Sequence, residues 1–138
     1  MELDNRTALV TGASGGIGER FAFRLAAAGA DLVLVARSGD KLDAVAKGIR
    51  AAHPARRVDV VPVDLARAGA GREVADAVSA LGLRVDVLVN NAGVGSHDPF
   101  ADEDPARLAA QIQLNVASLV DLTARFLPGM LEAGSGAV

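Results

Sequence analysis

Along this chain, short and continuously apolar runs alternate with amphipathic stretches. Thr7 to Thr11 (TALVT) is such a run, followed at once by Gly12-Ala-Ser-Gly-Gly-Ile-Gly18. That order predicts a buried strand, a tight loop and a helix start. The helix should reach about Ala28, with Ile17, Phe21, Leu25 and Ala28 spaced four, four and three on its core face and Gly29 as its C-cap glycine. Leu32-Val-Leu-Val35 is too continuously apolar for a half-exposed strand and suits one covered on both faces. Ser38 is placed to cap a second helix carrying Leu42, Val45, Ala46 and Ile49, closed by His53-Pro54. Val58 to Val63 reads as a third strand, and a helix from about Gly71 to Leu81 puts Val74, Val78 and Leu81 on one side. Val85 to Val89 gives a fourth strand. Asp104-Pro105 opens the longest helix, which Leu108, Ile112, Leu119, Thr123, Phe126 and Leu127 carry to about Pro128. Gly134 to Val138 then reads as a turn entering a fifth strand.

Strand and helix alternating at this spacing imply crossover connections and a parallel sheet, so the expected fold is a doubly wound α/β sheet. All of residues 1–138 fall in one such domain. The sheet should be incomplete after its fourth to fifth strand.

Composition narrows the partners. Apolar residues make up 51% and charged residues 22%, with 28 Ala, 4 Phe and neither Trp nor Tyr, so small and branched side chains must do the packing. The net charge of -3 comes with no Lys/Arg block, which argues against a nucleic-acid groove. Without Cys there is no disulfide framework and no thiolate metal site, and His97 has no second ligand nearby in the sequence. The start Met1-Glu2-Leu3-Asp4 lacks a basic and apolar leader, and no apolar run is long enough to span a bilayer. A soluble cytoplasmic protein with neither metal nor membrane partner is the expectation.

Candidate chemistry gathers at the predicted strand ends. Gly12, Gly16 and Gly18 follow a strand and open a helix, where bare backbone N–H groups approach a phosphate closely, and Ser14 adds a hydroxyl donor. Where an acidic residue would read ribose hydroxyls, Ala36-Arg37 stand instead. A guanidinium there neutralises a 2′-phosphate and favours NADP(H) over NAD(H); a solvated loop charge is the plainer alternative. Asp64 either accepts from an adenine amino group or caps its own turn above Leu65. Asn90-Asn-Ala-Gly93 ends the fourth strand and suits a crevice, or simply a turn. Asn115 is an amide inside Ile112-Gln-Leu-Asn-Val-Ala117 on a helix expected to pack on the sheet, where it needs a hydrogen-bond partner.

Taken in order, Thr11-Gly-Ala-Ser-Gly-Gly-Ile-Gly18, Asp64-Leu65, Asn90-Asn-Ala-Gly93, Asn115 and Leu127-Pro128 resemble the short-chain dehydrogenase/reductase family. The resemblance covers nearly the whole chain and implies a Rossmann-like fold and hydride transfer between nicotinamide and a carbonyl or alcohol substrate. It further implies that Gly12, Ser14, Gly16, Ile17 and Gly18 wrap the pyrophosphate and that Arg37 reads the 2′-phosphate. Asp64 and Leu65 would take the adenine, and Asn91, Ala92 and Gly93 the ribose and the wall beside the fourth strand. Asn115 would be the helix-borne member of the family's Asn-Ser-Tyr-Lys set, holding a water in the proton relay. One departure is Ser118, where the family often has Gly.

The larger departure is that the Ser, Tyr and Lys of that set are missing. The sequence has no Tyr at all, and both lysines, Lys41 and Lys47, fall in the second helix. Carbonyl reduction needs a proton donor at the developing oxyanion, so this chain alone is expected to be inactive, an amino-terminal part of a reductase. Its fourth strand should be an unpaired edge, and self-association through that edge or the long helix is expected. The alternative class is a non-catalytic dinucleotide-binding or interaction module.

Overall fold

A computed structural model describes residues 2–138. Four parallel strands, β1 (Thr7–Thr11), β2 (Asp31–Ala36), β3 (Val58–Pro62) and β4 (Val87–Val89), lie in the order β3-β2-β1-β4. Thr7 pairs with Asp31 and Ala8 with Val87, so β1 is central. The intervening helices are α1 (Gly16–Ala27), α2 (Gly39–Ala52) and α3 (Ala70–Ala80). A continuous helix follows, made of α4 (Pro105–Ile112), a π turn (Gln113–Ala117) and α5 (Ser118–Glu132).

Alternation along the central strands divides the core in two. Ala8 and Val10 of β1 with Leu32 and Leu34 of β2 face α1 and α2. Leu9, Val33 and Val35 face the opposite way, toward α3 and α5. Helices therefore cover both faces, as the expected doubly wound α/β class requires.

The α2 face is Leu42, Val45, Ala46 and Ile49, as its spacing predicts, and Ser38 caps the helix by accepting from Lys41 N at 3.4 Å. The α1 face is different from the expected one. Gly18, Ala22 and Ala26 are buried, whereas Ile17 is 68% and Phe21 48% exposed. Small side chains let the helix axis approach the sheet closely, and the bulky residues that dominate an apolar pattern are turned outward.

The long helix also departs from the expectation. It runs through Pro128 to Glu132, and Leu122 and Met130 are its buried anchors while Ile112, Leu119 and Leu127 are exposed. Its π turn is marked by two bonds from Ser118. The Ser118 hydroxyl donates to Leu114 O at 2.6 Å, and the Ser118 backbone N–H reaches back five residues to Gln113 O. A side chain that takes the carbonyl four residues back stands in for the usual amide partner in such a widened turn.

At the amino end of β4 the carboxylate of Asp86, only 4% exposed, is fully engaged. It accepts from Thr7 N at 3.0 Å, Arg84 Nη2 at 2.6 Å and Arg6 Nη1 at 3.2 Å. Burial by itself raises the Asp86 pKa, but the Thr7 N–H and the two guanidinium groups outweigh it and hold the carboxyl below its ordinary value. Arg6 also donates to Ser135 Oγ, Ala137 N donates to Asp86 O and Leu88 N to Ala137 O. Val87 and Ala137 thus form a parallel bridge, so the outer edge of β4 is partly paired rather than bare.

Candidate functional site

Strand order reverses between β1 and β4: the chain builds outward from β1 to β3, then returns to the far side of β1. In open α/β sheets the crevice beyond the carboxyl ends of the strands at that reversal is where ligands sit. Here it is built from the loop after β1 and the residues after β4.

Thr11 ties the two together. Its Oγ1 donates to Val89 O at 3.3 Å and accepts from Asn91 N at 3.0 Å and Ala92 N at 2.9 Å, the full capacity of one hydroxyl. Asn91 returns the link, its Nδ2 donating to Thr11 O at 3.0 Å and Gly12 O at 3.4 Å. Gly12 has φ +65°, and a Cβ there would stand 2.8 Å from Asn91 Nδ2. A Cβ on Gly18 would stand 2.3 Å from Gly12 O. Loop, helix and strand end are therefore interlocked through backbone that tolerates no side chain. Gly15, the N-cap of α1, offers no side-chain acceptor, which leaves the first-turn N–H groups of α1 available to an external anion.

Beside this lock lies a cleft of about 550 Å³. Gly12, Ser14, Arg37, Asp64, Leu65, Ala92 and Gly93 line it together, although they come from four separate loops. Arg37 is exposed and makes no ion pair among the described residues. Asp64 Oδ1 accepts from Ala66 N at 3.0 Å, so the carboxylate does shape its own turn, and Leu65 is buried in the core on the α3 side.

The remaining expected residues lie outside the cleft lining. Gly16 and Ile17 stand at the start of α1 facing solvent, Gly18 lies under the loop, and the Asn91 amide points at Thr11 and Gly12. Asn115 is not the buried amide that its apolar neighbours suggest. It is exposed in the π turn, where its Oδ1 accepts from Val94 N at 2.9 Å and its Nδ2 donates to Val94 O at 2.7 Å. This pair of hydrogen bonds pins the loop after β4 to the helix.

Sequence reasoning missed part of the lining. Lys41 enters from α2, Arg107 and Gln111 from α4, and Leu114 from the π turn that follows. The residues from the long helix carry a signal, since they recur at four and three, but larger apolar residues beside them drew the helix face elsewhere. Three cationic side chains, Arg37, Lys41 and Arg107, against the single carboxylate of Asp64 make the cleft suited to a polyanion. No group of three or more His, Asp or Glu able to hold a metal ion occurs among the described residues, and none of their helices is long and apolar enough to cross a membrane.

Comparison with known proteins agrees with this architecture. The chain is 37% identical over 133 residues to a very-long-chain 3-oxoacyl-CoA reductase of Mycosarcoma maydis, covering 95% of this chain and 38% of that protein. It is 38% identical over 138 residues to an uncharacterised oxidoreductase of Mycobacterium tuberculosis, covering 99% of this chain and 51% of that one. Among solved structures, a metagenomic short-chain oxidoreductase in complex with NADP superposes with a TM-score of 0.90 at 39% identity, covering 99% of this chain and 61% of that one. The L-sorbose reductase of Gluconobacter frateurii, complexed with NADPH and L-sorbose, gives 0.91 at 34% identity, covering 99% and 51%. The chain thus spans between 38% and 61% of the length of these relatives. The short chain dehydrogenase family model matches residues 6–138, and with the strand order, the glycine lock and the Asn-Asn-Ala-Gly strand end already described, the chain belongs to that family.

Proposed function

We propose that the protein is an NADP(H)-dependent oxidoreductase that moves hydride between nicotinamide and a carbonyl or alcohol carbon of a small molecule, and that these residues hold the adenosine and pyrophosphate end of the cofactor. The observation that carries the reading is the cleft in which Arg37, without an ion pair among the described residues, faces the same space as Gly12, Ser14, Asp64 and Gly93. Two features fit the group: the first-turn N–H groups of α1, left without a side-chain cap at Gly15, and the excess of cationic lining. The NADP and NADPH complexes among the structural relatives support the same reading.

In this reading Gly12, Ser14, Gly16, Ile17 and Gly18 enclose the pyrophosphate, with the first turn of α1 opposing its charge. Arg37 binds the 2′-phosphate, and its guanidinium makes NAD(H) the poorer ligand. Asp64 and Leu65 border the adenine, while Asn91, Ala92 and Gly93 form the ribose wall, Asn91 by holding the loop rather than by its own amide. Asn115 fixes the π turn against Val94 and keeps its place in the proton relay as a water-positioning group. The nicotinamide supplies the hydride when the cofactor is bound. A tyrosine proton donor is not among these residues, so the 138-residue chain by itself binds cofactor without turning over a carbonyl. The same lack of Tyr favours the second reading, a dinucleotide-binding module, for these residues alone.

The outward face of the long helix, with Val116, Val120 and Leu131 more than half exposed, is the surface through which we expect copies to associate. A purely monomeric size-exclusion profile at micromolar concentration would remove that part of the proposal.

Titrating the chain with NADPH, followed by nicotinamide fluorescence, tests the reading. Saturable binding is expected. Absence of binding by both NADPH and NADH would end both dinucleotide readings, and carbonyl turnover by the chain alone would end the argument from the missing tyrosine.

A further inference from the structure

Two parts of the cleft wall depend on one turn of the long helix. Leu114 lies in the π turn itself, and Val94 is held by both bonds from Asn115, the next residue of that turn. Gly93, also in the lining, packs so closely that a Cβ on it would stand 3.3 Å from Asn115 Oδ1. The placement of this wall therefore follows the hydrogen-bond register of the turn.

That register is a choice between two carbonyls. In a regular α turn the Ser118 N–H would bond Leu114 O; here it bonds Gln113 O, one residue further back, and the Ser118 hydroxyl takes Leu114 O at 2.6 Å. Amide and hydroxyl of one residue thus serve both carbonyls. Ser118 is only 3% exposed, so solvent has little access to stand in for the hydroxyl. Such a bond does not by itself make a π turn, since Thr123 Oγ1 donates to Leu119 O at 2.7 Å within regular α5. At Ser118 it shifts a balance: it supplies the Leu114 carbonyl with the donor that the π register takes away.

The balance matters because of helix geometry. Removing the extra residue from the turn rotates whatever precedes it by about 100° about the axis. Leu122 and Met130 anchor α5 in the core, so the part that rotates is α4 and the turn. Asn115 would then leave Val94, and Arg107, Gln111 and Leu114 would leave the cleft.

We propose that Ser118 is a positioning residue, whose hydroxyl holds the long helix in the π register that seats Asn115 on Val94 and keeps Leu114 in the cleft wall. The effect on ligand binding rests on reading the cleft as a dinucleotide site, whereas the effect on register does not.

Amide hydrogen exchange followed by NMR, together with calorimetric titration with NADPH, tests this on the 138-residue chain. Val94 is in an exposed loop and its N–H is held by Asn115 Oδ1, so its exchange reports local opening of that pair. Ser118→Ala should speed Val94 exchange about tenfold and weaken NADPH binding several-fold. Leu122→Val, four residues on in the same buried face, lowers the melting temperature without touching either carbonyl and should leave both readings within about twofold of the unaltered chain. Ser118→Gly lacks the same hydroxyl and serves if the alanine variant does not fold. Val94 exchange that is unchanged by loss of the hydroxyl, or speeded equally by Leu122→Val, overturns the proposal. Faster exchange with unaltered NADPH affinity overturns the assignment of Ser118 to the cleft wall. Failure of the unaltered chain to bind NADPH ends the dinucleotide reading, and the exchange comparison still decides whether Ser118 sets the register.

Discussion

At its amino end β4 begins beside Asp86, a residue only 4% exposed whose carboxylate is saturated by a backbone N–H and two arginines, whereas just past its carboxyl end Ala92 and Gly93 line a cleft of about 550 Å³. At that end Asn90 Nδ2 donates to Thr123 Oγ1 at 3.0 Å while Asn90 Oδ1 has no partner among the described residues, and Gln111 Nε2 is in the same condition. One edge of the sheet has its polar groups closed for stability. The other leaves some unpaired beside a cleft, a cost to folding of the kind that functional sites carry.

Variants at the two ends should therefore fail differently. The largest effect is expected from Gly18→Ala, because its Cβ would press to 2.3 Å from Gly12 O and force the loop away from α1. A loss of more than about 3 kcal/mol in chemical denaturation, together with loss of nucleotide binding, is expected. A folded variant with unchanged affinity would show that the lock is not required.

Asp86→Asn comes next. It removes the negative charge shared by Arg6 and Arg84 but leaves both arginines access to water, so a cost of about 2 kcal/mol with little change in nucleotide affinity is expected. The pH dependence has a definite sign. A carboxyl whose folded pKa lies below its ordinary 3.8 stabilises the fold fully well above that value, and the contribution fades as pH falls past 3.8 toward the lower folded pKa. Urea midpoints of the unaltered chain should fall as the solution is acidified below about pH 5, and Asp86→Asn should flatten that fall. Equal slopes for the two proteins would remove Asp86 from the account.

Thr11→Val has the smallest expected cost and acts at the open end. The Asn91 and Ala92 amides lose their acceptor while the shape is kept, at about 1.5 kcal/mol. Unlike Asp86→Asn it should also weaken nucleotide binding, since it loosens the strand end against the glycine loop. Stability loss without any loss of affinity would place Thr11 with the closed end instead.

How much of this was legible in the sequence depended on the size of the side chains that signal it. The Leu32–Val35 run announced a strand covered on both faces, and the spacing of Leu42, Val45, Ala46 and Ile49 announced the α2 face, because large apolar residues there are the ones buried. In α1 the same logic pointed to Ile17 and Phe21, but close packing on the sheet selected Gly18, Ala22 and Ala26, which hardly register as hydrophobic. The glycine loop, Arg37, Asp64-Leu65 and the Asn-Asn-Ala-Gly stretch were legible because each sits at a strand end, and they share one cleft or its lock. Asn115 was visible as an anomaly, yet its partner Val94 lies across a loop and only the tertiary structure reveals it. The π turn coincides with a Ser118 hydroxyl bonded to Leu114 O, and no periodicity foretells it. The α4 wall was hidden for a related reason: Arg107 and Gln111 serve the cleft rather than the core, so an apolar pattern passes over them.

The central claim is that this cleft recognises the 2′-phosphate of NADP(H). Its most direct test is parallel titration of the unaltered chain and of Arg37→Ala with NADPH and with NADH. The account predicts that the unaltered chain binds NADPH at least about tenfold more tightly than NADH and that Arg37→Ala loses most of that margin with its melting temperature unchanged. Equal affinity for the two nucleotides, or a margin that survives the loss of Arg37, would contradict it.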